Sequence, residues 1–196
     1  MRDIAELEWR ISKLKKVSIF LAPGFEEVEA LTPIDLLRRA GAQVTIVSIG
    51  EEKTVTGSHQ IAIGADVLFD EMDFSEQDLF ILPGGQPGTN NLKACSRLRA
   101  LLEDADRKGK LLAAICAAPT VFGDMGLLKG KKATCYPGCE DGLTGAEYLT
   151  ERVVTDGTIT TSRGVGTAIP FALFLIEQLF GKEKSEEIRR SIIYGH

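Results

Sequence analysis

Short apolar runs alternate along this chain with segments whose apolar residues recur at helical spacing. Val17 to Leu21, Val44 to Ile49, Leu79 to Leu82 and Leu111 to Ile115 read as strands, and Val28 to Arg39 and Leu98 to Arg107 read as helices between them. Gly41 stops the first helix, as a residue free to turn left-handed does. This alternation predicts an α/β architecture: a mostly parallel sheet with helices on both faces, because parallel neighbours need a crossover that packs back on the sheet. The continuous runs Phe80 to Pro83 and Leu111 to Cys116 suit central strands buried on both sides. Arg152 to Thr155, the turn Asp156-Gly157, and Thr158 to Thr161 read as a hairpin. A last long helix from Thr167 to Phe180 is apolar around much of its surface and should be heavily buried.

The first fifteen residues depart from this plan. Ile4, Leu7, Ile11 and Leu14 recur at heptad-like spacing, with Trp9 off the stripe, so residues 1–15 are expected to form an amphipathic helical extension. A helix of that length needs a partner surface in water. Self-association through residues 4–14 is the sharper expectation, and a disordered leader or a helix folded back on its own domain are the alternatives. Residues 16–196 are expected to be a single domain, since no repeat, low-complexity stretch or linker divides them.

Composition narrows the classes of function. With 44% hydrophobic residues in 196, the chain can bury one sizeable core. Lys and Arg total 23 against 28 Asp and Glu, for a net charge of −5 with no basic block, so a nucleic-acid surface has nothing to be built from. No apolar run approaches the roughly 18 residues that span a bilayer, and the amino terminus mixes charges instead of forming a signal-peptide core. A soluble, cytoplasmic protein with no membrane partner is expected. Cys95, Cys116, Cys135 and Cys139 lack the paired spacing of a zinc site or a disulfide framework, so no metal is expected.

The chemistry concentrates at Ala114-Ile115-Cys116-Ala117-Ala118-Pro119, which joins a strand to a helix. A thiol at such a corner faces the first-turn N–H groups of the helix, which favour the nucleophilic thiolate, so a lowered thiol pKa is expected. The geometry is that of a nucleophile elbow with Cys in place of Ser. Cys116 could instead be a buried small hydrophobe, as most free cysteines are. Sites in open sheets lie beyond the carboxyl ends of the strands, which points to three loops: Ala22 to Glu29, Pro83 to Gly88, and Cys116 onward. Glu26 and Glu27 in the first turn of a helix ordinarily serve its cap and dipole. Glu29 lies about 200° around the helix from Glu27, so one of the two is expected to face inward. A carboxyl in a partly apolar pocket rises in pKa and can carry a proton at neutral pH. The glycine-rich loop Pro83-Gly84-Gly85-Gln86-Pro87-Gly88 matches no nucleotide-binding pattern, so no nucleotide cofactor is indicated. Its Gly85 N–H, together with that of Ala117, could face a developing oxyanion. His59 lies in a polar segment outside these loops and His196 is the final residue, so a Cys-His pair is not available and the proton carrier beside Cys116 has to be a carboxyl.

Four ordered motifs resemble the ThiJ/PfpI superfamily, in its DJ-one branch: the opening strand and acidic loop from Lys15 to Gly41, the turn Leu82 to Gly85, the elbow Ala113 to Pro119, and Thr161 to Ala168. The resemblance covers nearly all of Lys16 to Ser191. It implies a flavodoxin-like doubly wound fold and a homodimer. It also implies Cys116 as nucleophile, Glu29 as its protonated partner, and Gly84, Gly85 and Ala117 as the backbone groups around the reacting oxygen. Members are described as glutathione-independent glyoxalases, as deglycases of glycated protein or nucleotide, and as redox-responsive chaperones. Some relatives place a histidine where this chain has Tyr136, which argues against hydrolase-like and peptidase-like activity. Val165 stands where a proline is common, and the segment before Lys16 has no counterpart in the family.

These readings predict a cofactor-independent cysteine enzyme acting on 2-oxoaldehydes such as methylglyoxal or on their adducts with amines and thiols. The alternative is a thiol sensor or chaperone in which Cys116 is oxidised to the sulfinic acid and Glu29 hydrogen-bonds the oxidised sulfur. Both use the same two residues.

Overall fold

The computed structural model describes residues 14–195. Ile4, Leu7 and Ile11 of the expected extension lie outside them. Leu14 and Lys15 are in no helix and Leu14 is exposed, so the extension does not run as a helix into the first strand.

The chain order is β1 (Lys16–Leu21), α1 (Glu27–Ala40), β2 (Gln43–Ser48), β3 (Thr54–Thr56), β4 (Ala62–Gly64), β5 (Val67–Leu68), β6 (Leu79–Leu82), α2 (Gly88–Ala94), α3 (Ser96–Arg107), β7 (Leu111–Ile115), α4 (Pro119–Asp124), β8 (Lys132–Ala133), β9 (Glu147–Tyr148), β10 (Val153–Asp156), β11 (Ile159–Ser162), α5 (Ala168–Phe180) and α6 (Lys182–Ser191). Seven strands form the central sheet in the order β10-β11-β7-β6-β1-β2-β5, all parallel except the edge strand β10. The elements predicted after Lys15 form, and β10 and β11 pair as the expected hairpin. Short pieces that apolar periodicity could not mark were added: the β3–β4 hairpin, β5, the β8–β9 pair, and helices α2 and α6.

Alternation along the strands divides the core. Val17, Ile19 and Leu21 of β1 pack with Ile34 and Leu37 of α1 and Phe171, Leu175 and Ile176 of α5 on one face. Phe20, Phe80 and Leu112 point the other way, toward Leu98 and Leu102 of α3 and Val121 and Phe122 of α4. Each face therefore removes its own set of apolar side chains from water, at about 25 cal/mol per Å². Helix α1 ends where predicted: Gly41 adopts φ +98° and its N–H donates to Arg38 O, closing the helix with a left-handed cap. Among the described residues no helix is long and apolar enough to cross a membrane.

Candidate active site

Because β1, β6, β7 and β11 run parallel, their carboxyl ends share one edge of the sheet. The loops leaving them meet there. Three are those read from the sequence, and the fourth, Arg163 to Thr167, follows β11. Glu26 N–H donates to Gly84 O at 2.9 Å, tying the first loop to the second.

Cys116 sits on the elbow with φ +65°, a left-handed conformation that is unfavourable for a side-chain-bearing residue by roughly 1–2 kcal/mol. Two backbone hydrogen bonds hold it there. Its N–H donates to Ser162 O at 3.0 Å, and its carbonyl accepts from Tyr136 N–H at 2.8 Å. The sulfur thus emerges from the sheet edge at an imposed angle, beneath the N–H groups of Gly85 and Ala117.

Glu29 reaches the same point from α1. It is fully buried, its Oε2 accepts from Gly84 N–H at 3.0 Å, and its Oε1 has no hydrogen-bond partner. Gly84 marks where the two side chains meet: a Cβ there would lie 2.6 Å from both Cys116 Cβ and Glu29 Oε2. Burial, with the nearby Glu26 charge adding to it, raises Glu29 to about 7 despite the pull of Cys116 and Gly84. Burial, then the charge of Glu29 and its contact with the thiol, push Cys116 up to about 12, and the N–H groups of Ala117 and Gly85 offset only part of this. The expected lowering of the thiol is therefore corrected. Helix α4 is six residues long, and its positive end is outweighed by desolvation and a facing carboxyl. The two groups titrate as a pair that gives up one proton near neutrality and holds the second tightly.

Three further expectations change. The Gly84 N–H is committed to Glu29, which leaves Gly85 and Ala117 as the backbone donors at the sulfur. Glu27 and Glu29 are both buried, on different sides of α1. Glu26 is the capping residue, its Oε2 accepting from Glu29 N–H at 2.7 Å, whereas Glu27 anchors the β3–β4 hairpin. Glu27 accepts from His59 N–H at 2.7 Å and lies 2.9 Å from His59 Nδ1. Burial pushes Glu27 up, but these bonds and those of the backbone N–H groups together hold it at about 2. His59 is thus brought against the start of α1, and its nearness to Glu27 raises its own pKa.

Cys116 and Glu29 open into a cleft of ≈ 630 Å³ whose other walls are Tyr136, Arg152, Arg163 and the Gly164–Thr167 loop. Tyr136 does stand at the position noted in the sequence. Sequence reasoning missed both arginines, because isolated basic residues near a hairpin carry no periodic or motif signal. Glu26, Glu27 and His59 bring one ligand atom each within 4.8 Å of one another, but the Glu27 oxygens already accept N–H donors, so this cluster serves as a structural anchor.

A doubly wound sheet with its thiol on a strand-to-helix elbow and a protonatable carboxyl for company defines a class of α/β proteins organised around one cysteine. Within that class the chain belongs to the DJ-1/PfpI family, whose match spans residues 15–178. A protein named DJ-1 homolog B from Arabidopsis thaliana is 46% identical over 184 residues, 93% of this chain and 42% of that protein. The chain spans less than half the length of the two Arabidopsis relatives it matches. The crystal structure of Drosophila melanogaster DJ-1beta superposes with a TM-score of 0.90 at 38% identity, covering 93% of this chain and 100% of that one. A Pyrococcus horikoshii protein named as a deglycase is 36% identical over 153 residues, 76% of this chain and 89% of that protein.

Proposed function

We propose that the protein is a cofactor-independent enzyme that converts 2-oxoaldehydes such as methylglyoxal, free or as early adducts with amines and thiols, to 2-hydroxy acids. The observation that carries this reading is Glu29: a wholly buried carboxyl that holds a proton near neutrality, touches the Cys116 thiol, and keeps one oxygen unpartnered at the cleft. A structural carboxyl would have both oxygens satisfied. The name of the Pyrococcus relative supports the same substrate class.

Ionised Glu29 takes the thiol proton as sulfur bonds to the aldehyde carbon and passes it to the former carbonyl oxygen, completing a hemithioacetal and leaving Glu29 ionised again. Glu29 then takes the hydrogen on that carbon and hands it to the neighbouring carbonyl oxygen, giving an enediol; the neighbouring carbon is protonated as the first hydroxyl loses its proton, leaving a thioester of the 2-hydroxy acid. Water cleaves the thioester and restores the thiol. Overall one water is added, and the oxidation of one carbon balances the reduction of its neighbour. Gly85 and Ala117 N–H groups bracket the sulfur, where they can stabilise the ionising thiol.

Incubation with methylglyoxal, following loss of the dicarbonyl and appearance of lactate, tests the reading. Turnover is expected in the wild type and its abolition in Cys116→Ser. Absence of lactate from folded wild-type protein would overturn it.

A further inference from the structure

The cleft is larger than methylglyoxal needs, and its charges are unevenly placed. Arg152 and Arg163 line it, and neither has a carboxylate within ion-pair distance among the described residues. Arg163 is held by one end: a terminal nitrogen donates to Thr150 O at 3.2 Å, while its buried Nε has no partner. The same wall includes the amino end of α5, a helix of 13 residues entered through Gly164–Thr167. Gly166 there faces open space, since a Cβ on it would meet nothing within 4 Å. A helix amino end and two guanidinium groups all favour an anion. Acids also border this region: Glu26 caps α1 through its Oε2 and lies 3.9 Å from His59, Glu29 is buried beside Cys116, and Glu140 is near enough to Arg163 to feel its charge, but none of the three forms an ion pair with either arginine.

We propose that the preferred substrates are 2-oxoaldehydes bearing a carboxylate or phosphate, the anion held by Arg152, Arg163 and the amino end of α5 while the aldehyde carbon meets Cys116. This deepens the 2-oxoaldehyde reading and rests on it. Anchoring the remote anion would orient the reacting carbonyl over the sulfur, so binding energy away from the reaction centre appears in kcat/KM.

The test compares kcat/KM for 4,5-dioxopentanoate with that for its neutral methyl ester, and for 3-phosphooxy-2-oxopropanal with that for methylglyoxal. Each anionic compound is expected to be favoured by about tenfold, the scale of one charge-assisted hydrogen bond. The pair with the larger preference tells carboxylate from phosphate. The preference should shrink in Arg152→Gln and at high salt. Equal values for acid and ester and for the phosphate pair, or preferences unmoved in Arg152→Gln, would overturn the proposal. Failure to turn over any of the four compounds would instead sink the 2-oxoaldehyde reading, and the anion site is then read without turnover. In that case Cys116 is alkylated with iodoacetate and with iodoacetamide. A rate ratio more favourable to iodoacetate than that of free cysteine, and lost in Arg152→Gln, supports the site; a ratio equal to that of free cysteine removes it.

Discussion

Glu29 and Cys116 are held so that ionising either one puts a charge into a desolvated corner, and this sets the pH behaviour of the site. Activity that needs Glu29 as a base should rise with pH through about 7. The Glu26 charge contributes to that raised value, so Glu26→Gln, whose amide oxygen can still cap α1, should move the limb of a kcat/KM profile to lower pH. Glu29→Gln should cut turnover by about 10²-fold or more, because an amide cannot shuttle a proton. The same variant should lower the pH at which Cys116 reacts with iodoacetamide, since the facing charge that raises the thiol is gone. Stability follows with a definite sign. A carboxyl raised from 4.5 to about 7 on folding contributes stability below pH 4.5 that is lost as pH rises through 7. At pH 8 Glu29→Gln should therefore be more stable than wild type, on the order of 1–3 kcal/mol by denaturant titration. Turnover retained in full would remove Glu29 from the mechanism.

At the scale of elements, the β3–β4 hairpin is clipped to the amino end of α1 by Glu27. A Cβ on Gly57 would lie 2.3 Å from Glu27 Oε1, so the hairpin turn packs directly on the carboxylate. Glu27 is depressed from 4.5 to about 2; its contribution is present above pH 4.5 and is lost as pH falls toward 2. His59 is raised, so its share is present below its ordinary value and disappears as pH climbs through the raised one. Faster amide exchange at Val55 and Ile63 in His59→Ala, with a larger effect at pH 6 than at pH 9, is the expected outcome; an equal effect at both would show a neutral packing role. The loop between β6 and α2 is equally constrained. Gly84→Ala should destabilise the fold by about 1–3 kcal/mol and abolish turnover, because the new methyl must displace Cys116 and Glu29 together.

For the whole molecule, the carboxyl ends of four parallel strands supply Glu29, Gly85, Cys116 and Arg163, the segments after β8 and before β10 add Tyr136 and Arg152, and none of these residues precedes the first strand. Deleting residues 1–13 should leave methylglyoxal turnover intact. The mass of the truncated protein in solution tests separately whether the apolar stripe at Ile4, Leu7 and Ile11 drives assembly; an unchanged mass would show that it does not.

The mostly parallel sheet, its central strands and the elbow at Cys116 were legible in the sequence, because strand and helix periodicities and a strand-end cysteine are local signals, whereas helix geometry alone left Glu27 and Glu29 as alternatives and only the family resemblance singled out Glu29. Where the strand ends converge was readable too, since parallel strands necessarily share an edge. Only the tertiary structure decided what long-range contacts control. Gly84 N–H goes to Glu29, across 55 residues of chain, so it leaves the sulfur to its neighbours. Glu27 became an anchor because a distant hairpin brought His59 to it. The thiol rose because desolvation and an opposing carboxyl, both products of packing, exceeded the pull of a short helix that the sequence had made visible. Arg152 and Arg163 entered the cleft because an antiparallel edge strand and the turn after β11 carried them there, and a charge on a loop acquires meaning only from what the fold places opposite it.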